Sequence, residues 1–184
     1  PNFLYTIFHL SDLARVRMFI SIRSRASFSS LKYQAGMASS ILAQQRGQVV
    51  GKTPKLYFLD TGLVCYLTGW TSPETAEAGA MSGALFETWV MGQILKSWWY
   101  AGQEAPLYFY RDKDGKELDG LLVKDGTLYP LEIKKTASPR RDDIRHFATL
   151  NRMGMTVGQG SVICLCQEAL PISDSVWSLP ASQI

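Results

Sequence analysis

The sequence predicts an α/β fold: a helix, a three-strand meander, a second helix and a further strand around one mixed sheet, an α-β-β-β-α-β core preceded by an N-terminal helical arm. Three observations carry this. The stretch after Ser82 places Leu85, Phe86, Trp89, Val90, Ile94, Leu95 and Trp98 at helical spacing and ends near Gly102. Between Leu107 and Lys135, three strand-like runs are separated by Lys113-Asp114-Gly115-Lys116 and by Asp125-Gly126, the second a strong two-residue hairpin signal. Beyond Gly154, Ser161 to Cys166 is a compact apolar run of strand length.

In chain order, residues 1–51 read as a basic arm. Ser11 can cap a short helix through Leu13 and Val16 to about Ile20, and a Ser-rich stretch leads to a second helix from Leu31 to Gly47. Residues 52–184 form the folded domain. Lys55 to Leu59 is a short strand, Asp60 caps the turn or helix that follows, and residues 71–80 read as a loop with Pro73 and Gly79. Ser82 caps the long helix. The strands run Leu107–Asp112, Glu117–Lys124 and Thr127–Lys135. Ser138-Pro139 then opens a helix with Asp142 and Asp143 in its first turn, its buried face made by Ile144, Phe147 and Leu150.

The chain has 184 residues, 46% hydrophobic and 19% charged, which is a globular profile and excludes a wholly disordered chain. No uncharged apolar run approaches the length of a membrane span. Its first residue is Pro1, so it reads as part of a longer frame. Three cysteines, Cys65, Cys164 and Cys166, make no disulfide framework, which points to a reducing, cytoplasmic setting. The net charge of +3 hides an asymmetry: residues 1–55 carry eight Lys/Arg against Asp12 alone. Such an arm suits a polyanionic partner. Arg140, Arg141 and Arg145 add a second basic cluster for nucleic-acid phosphates.

The hairpin sets a register. With Asp125-Gly126 as the whole loop, Lys124 faces Thr127, Asp119 faces Glu132, and Glu117 faces Lys134. By strand alternation these four charged residues share one face, and Leu118, Leu122, Leu131 and Ile133 share the other. Two carboxylates directly opposite each other repel. A hard Mg²⁺ ion offsets that repulsion, because it favours carboxylate oxygens, waters and phosphate oxygens. Lys134, two residues from Glu132, adds an ammonium able to orient or activate a water. Glu87 sits on the long helix between Val90, Ile94 and Trp98, about 180° from Lys96, and is aimed at the sheet. The plainer alternative for this set is a solvated charge ladder with a favourable acid near a helix start.

Asp119, Glu132-Ile133-Lys134 and a helix carrying Glu87 together resemble the PD-(D/E)XK restriction-endonuclease-like motif. The stretches from Lys52 to Leu63, Gly83 to Val90, Tyr108 to Asp112, Glu117 to Asp119 and Leu131 to Lys134 resemble the nuclease-like C-terminal domain of an uncharacterised prokaryotic AAA+ ATPase family. The resemblance implies catalytic roles for Asp119, Glu132 and Lys134, and a Mg²⁺ site built from Asp119, Glu132 and Glu87. It also implies an upstream AAA+ ATPase domain and a winged-helix-like linker, which residues 1–51 match only faintly. The expected function is Mg²⁺-dependent phosphodiester hydrolysis on nucleic acid. The alternative is an inactive nuclease fold used as a nucleic-acid or protein docking module.

Other motifs weigh less. Gly47 to Thr53 imitates a phosphate loop but has three residues between its glycines instead of four, and Pro54 follows, so no ATP site is expected in this chain. Asp60-Thr61-Gly62 is similar to one half of an aspartic protease site, which makes a dimeric protease a distant alternative. Cys164 and Cys166 lack the partners for a closed zinc site and read as core residues. Trp98, Trp99 and Tyr100 read as buried aromatics.

Overall fold

Asp125 and Gly126 have φ of 51° and 74°, the left-handed pair that a tight two-residue hairpin turn requires. They fix the centre of the sheet in the computed structural model, which describes residues 19–22, 55–112 and 114–184. Strand β4 (Glu117–Lys124) pairs antiparallel with β5 (Thr127–Ile133), Lys124 against Thr127 through to Gly120 against Leu131. This is the register counted from the sequence. β3 (Leu107–Arg111) lies antiparallel on the far side of β4. On the other side of β5 come a short parallel β6 (Thr156–Val157) and the parallel β7 (Gly160–Cys164). Further out are β8 (Leu170–Ser173) and β9 (Val176–Pro180), where β9 runs parallel to β7 and β8 pairs antiparallel at the edge. The result is a mixed sheet in the order β3-β4-β5-β7-β9-β8, with β6 beside β5.

A separate ribbon precedes it. β1 (Phe19–Ile22) pairs antiparallel with β2 (Lys55–Phe58), Phe19 against Phe58. α1 (Thr61–Leu67) follows, capped by Asp60, whose Oδ1 accepts the Leu63 N–H at 3.0 Å. α2 (Pro73–Ala78) and α3 (Ser82–Tyr100) complete the helices.

Both faces of the sheet are covered. Phe86, Val90, Met91, Ile94 and Leu95 of α3 pack with Leu107, Leu131, Ile133 and Ile163. On the opposite face Phe147 and Leu150 pack with Tyr110, Leu118, Leu121, Leu128 and Val162.

Several expected details change. Leu118 does not join Leu122, Leu131 and Ile133. Between Tyr108 and Tyr110 the partner strand advances from Leu121 to Leu118, so β4 carries an extra residue at Asp119-Gly120. This bulge reverses the alternation and puts Leu118 and Leu121, both fully buried, in one cluster. Gly120 allows it, because a Cβ there would stand 3.0 Å from Leu131 and 3.3 Å from Leu107. The expected loop at 71–80 contains α2, because Ser72 caps Thr75 and Pro73 starts the helix. Met81, not Ser82, is the N-cap of α3.

No α-helix opens at Ser138-Pro139. The chain forms two 3₁₀ segments, Arg141–Ile144 and Phe147–Met153. Side chains take the local backbone donors there, Thr136 Oγ1 from Ser138 N–H and Asp143 Oδ2 from Arg140 N–H. Tyr100 is exposed and Trp99 partly so, whereas Trp98 packs on the core. Phe19 and Ile20 belong to a strand, so the expected helix from Ser11 does not reach Ile20. The rest of the expected arm, with the Gly47–Thr53 stretch, lies outside the described residues.

Candidate functional site

The β4–β5 ladder ends at Gly120 and Leu131. One residue further, the Asp119 carboxylate enters the gap: its Oδ2 accepts the backbone N–H of Ile133 at 2.9 Å. The bulge turns this acid into the opening. Its other oxygen, Oδ1, accepts from Lys55 Nζ at 3.1 Å. The same ammonium stands 2.5 Å from Glu87 Oε1, which also accepts the Tyr57 hydroxyl at 2.6 Å.

Each side chain is placed by its element. Lys55 and Tyr57 are two apart on β2 and share a face. Tyr57 is buried with Phe86 and Val90, which pins β2 onto α3 and brings Lys55 over Glu87. The rings of Tyr57 and Phe109 flank the ammonium, each with its centroid 5.5 Å away.

A second ionic pair adjoins the first. Lys134 Nζ stands 2.8 Å from Glu132 Oε1. Glu132 lies opposite Val162 in the parallel ladder, and only 8% of its surface is exposed. Glu117 does not partner Lys134. It lies opposite Arg111 and forms an ion pair with it at 3.1 Å, and the β4–β5 pairing has already ended at Gly120 and Leu131, so neither the expected Glu117–Lys134 nor the expected Asp119–Glu132 pair is part of the ladder.

The electrostatics follow from burial. Desolvation pushes Glu132 up to about 7; the neighbouring Asp119 charge adds to this, and Lys134 pulls back only in part. Burial is the largest single effect on the Lys134 ammonium and lowers it, yet the bond to Glu132 and the charges of Glu132, Asp119 and Asp143 together raise it. Lys55 behaves in the same way: burial lowers it, and Asp119 and Glu87 together raise it further. Burial and the adjacent Glu87 charge push the Tyr57 hydroxyl upward, so it stays a donor. With the three acids ionised, the cluster holds one more negative than positive charge.

The expected set of Glu87, Asp119, Glu132 and Lys134 is therefore brought to one neighbourhood, with each acid bonded to a lysine. Among the described residues no three His, Cys, Asp or Glu side chains form a ready metal cage. The sequence reading put Lys55 at the start of a strand and counted it only among the basic side chains of residues 1–55; its ammonium is committed to two carboxylates. Tyr57 was not anticipated either, since both contacts span dozens of residues. Arg140, Arg141 and Arg145 are exposed around the 3₁₀ segment beside the site. Of these, Arg145 forms an ion pair with Asp142. Asp143 of the same segment acts electrostatically on Lys134. Asp60 is engaged in capping α1. Cys65, Cys164 and Cys166 are free thiols, the first two buried. No helix among the described residues is long and apolar enough to cross a membrane.

Comparison with known proteins adds a family. A family profile described as a domain of unknown function, DUF4143, matches residues 82–184. An uncharacterised protein of Mycobacterium tuberculosis is 29% identical over 133 residues, which is 72% of this chain and 29% of that protein. An uncharacterised protein of Mycobacterium bovis gives the same figures. The chain thus spans less than a third of the length of these relatives. No solved structure matches it.

Proposed function

The chain belongs to the DUF4143 family, and for it we propose a PD-(D/E)XK-type site that hydrolyses phosphodiester bonds in nucleic acid with Mg²⁺. The observation that carries the reading is the meeting of Asp119, Glu132 and Lys134 where the β4–β5 ladder opens, with Glu87 joined to Asp119 through Lys55. The acids offer the hard oxygens that a divalent ion prefers, although each is held by a lysine and no three of them stand as a cage among the described residues. Asp119, Glu132 and Glu87 would hold it. When bound, such an ion polarises a phosphoryl oxygen and lowers the pKa of an attacking water.

The protein's own groups supply the rest. Lys134 keeps about two-fifths of its side chain exposed, 38%, so its ammonium can leave Glu132 to hold a water or a phosphate oxygen. Arg140 and Arg141, exposed nearby, offer phosphate neutralisation. An upstream AAA+ ATPase domain and a cytoplasmic setting belong to the same proposal. The first is supported by the sequence resemblance, with room for it in the greater length of the relatives, and the second by the three free cysteines.

A second reading, an inactive fold serving as a docking module, is favoured by one feature: Lys55 already neutralises Glu87 and Asp119. Incubating the protein with labelled single- and double-stranded DNA and RNA, in Mg²⁺ and in chelator, separates the two. Cleavage that requires Mg²⁺ and is lost in Asp119→Asn supports the nuclease. Binding without cleavage on every substrate supports docking.

A further inference from the structure

We propose that Lys55 is a built-in counter-cation that competes with the divalent ion for Glu87 and Asp119, so that metal entry requires its ammonium to withdraw; this rests on the metal-site reading above. The atoms at issue are the same ones. Glu87 Oε1 and Asp119 Oδ1, oxygens of two acids that the reading above assigns to the ion, are those that hold Nζ at 2.5 and 3.1 Å. Two cations cannot share that pair of oxygens without strong repulsion. The ammonium is also held by the faces of Tyr57 and Phe109, so its seat is built from four side chains on β2, β3, β4 and α3.

Asp119 keeps its bond to Ile133 through Oδ2, and Glu132 has Lys134 as its own partner. Lys55 stands apart because it arrives on the β1–β2 ribbon, outside the main sheet. Its withdrawal breaks no hydrogen bond of the main-sheet ladder. The device therefore couples the ribbon to the state of the acids: with Lys55 seated the site resists metal, and with Lys55 displaced it accepts it.

The test measures binding of Mn²⁺ alone and Mg²⁺ alone, by calorimetry and by the metal-dependent shift in melting temperature. The proteins compared are wild type, Lys55→Met and Lys55→Arg. Lys55→Met should bind Mn²⁺ at least tenfold more tightly than wild type, and Lys55→Arg, which keeps the charge, no more tightly. In wild type, acylation of Lys55 read by mass spectrometry should be slow without metal and should rise severalfold when Mn²⁺ is added. This second readout decides the matter if Lys55→Met fails to fold. Unchanged affinity in Lys55→Met, or acylation indifferent to Mn²⁺, overturns the proposal. If wild type nevertheless cleaves with Mg²⁺, the site reading stands and only the competition fails. If neither protein binds metal and wild type does not cleave, both fail.

Discussion

Asp119 closes the gap in the sheet through Ile133: its Oδ2 takes the backbone N–H at 2.9 Å, one step past the last ladder pair of β4 and β5. A side chain thus stands where a backbone carbonyl would continue the strand pairing. The acid is both a structural acceptor and a negative charge that acts on Glu132.

That double duty decides the sign of Asp119→Asn. Repulsion between facing acids would make the substitution stabilising. The bonds to Ile133 and Lys55 outweigh it, because an amide retains the first and loses the charge that holds the second. Chemical denaturation without metal should show a loss of about 1–2 kcal/mol, the scale of a hydrogen bond to a charged group.

Glu132 makes stability depend on pH. Its carboxyl lies near 7 when folded against an ordinary 4.5, so the folded state binds the proton more tightly. The stabilisation is full below the unfolded value and is lost as pH rises through about 7. Glu132→Gln should flatten that slope. In urea melts without metal it should gain about 2 kcal/mol over wild type at pH 8 and almost nothing at pH 4.

Tyr57→Phe removes the hydroxyl that Glu87 accepts at 2.6 Å and keeps the ring beside Lys55. Melting should show a loss of about 1.5 kcal/mol. The loss should persist in high salt, since the bond is short and its donor is a neutral, buried hydroxyl.

Reversing Arg140 and Arg141 to Glu tests the phosphate contacts. Both are exposed, so stability should change by less than about 0.5 kcal/mol. Titrating a labelled oligonucleotide at two salt concentrations should show weaker binding and a shallower salt dependence, by about one unit of slope per lost phosphate contact.

The hairpin was legible because Asp125-Gly126 admits one short turn, and the turn fixes every facing pair up to Gly120. The bulge was not read, although Gly120 inside a strand pattern is a signal for one. Strict alternation was carried through it and misplaced Leu118 and Glu117. Ser72-Pro73 also carried its helix signal openly. The last two strands are harder to read, because Pro171 and Pro180 break their pattern and only pairing through β9 to β7 makes them strands. Glu87, Asp119, Glu132 and Lys134 were legible as types at a spacing. Their counter-ions were not, since the partner of Asp119 lies 64 residues upstream and no local pattern points to it.

The family match opens at Ser82, downstream of Lys55 and Tyr57. A piece of the chain cut at that boundary keeps Glu87, Asp119, Glu132 and Lys134 but loses the ammonium and the hydroxyl that hold two of those acids. The family profile and the stretch that balances charge therefore have different starting points. A cut placed at the profile boundary removes the counter-charge of two partly buried carboxylates, and a cut placed by charge must begin no later than Lys55.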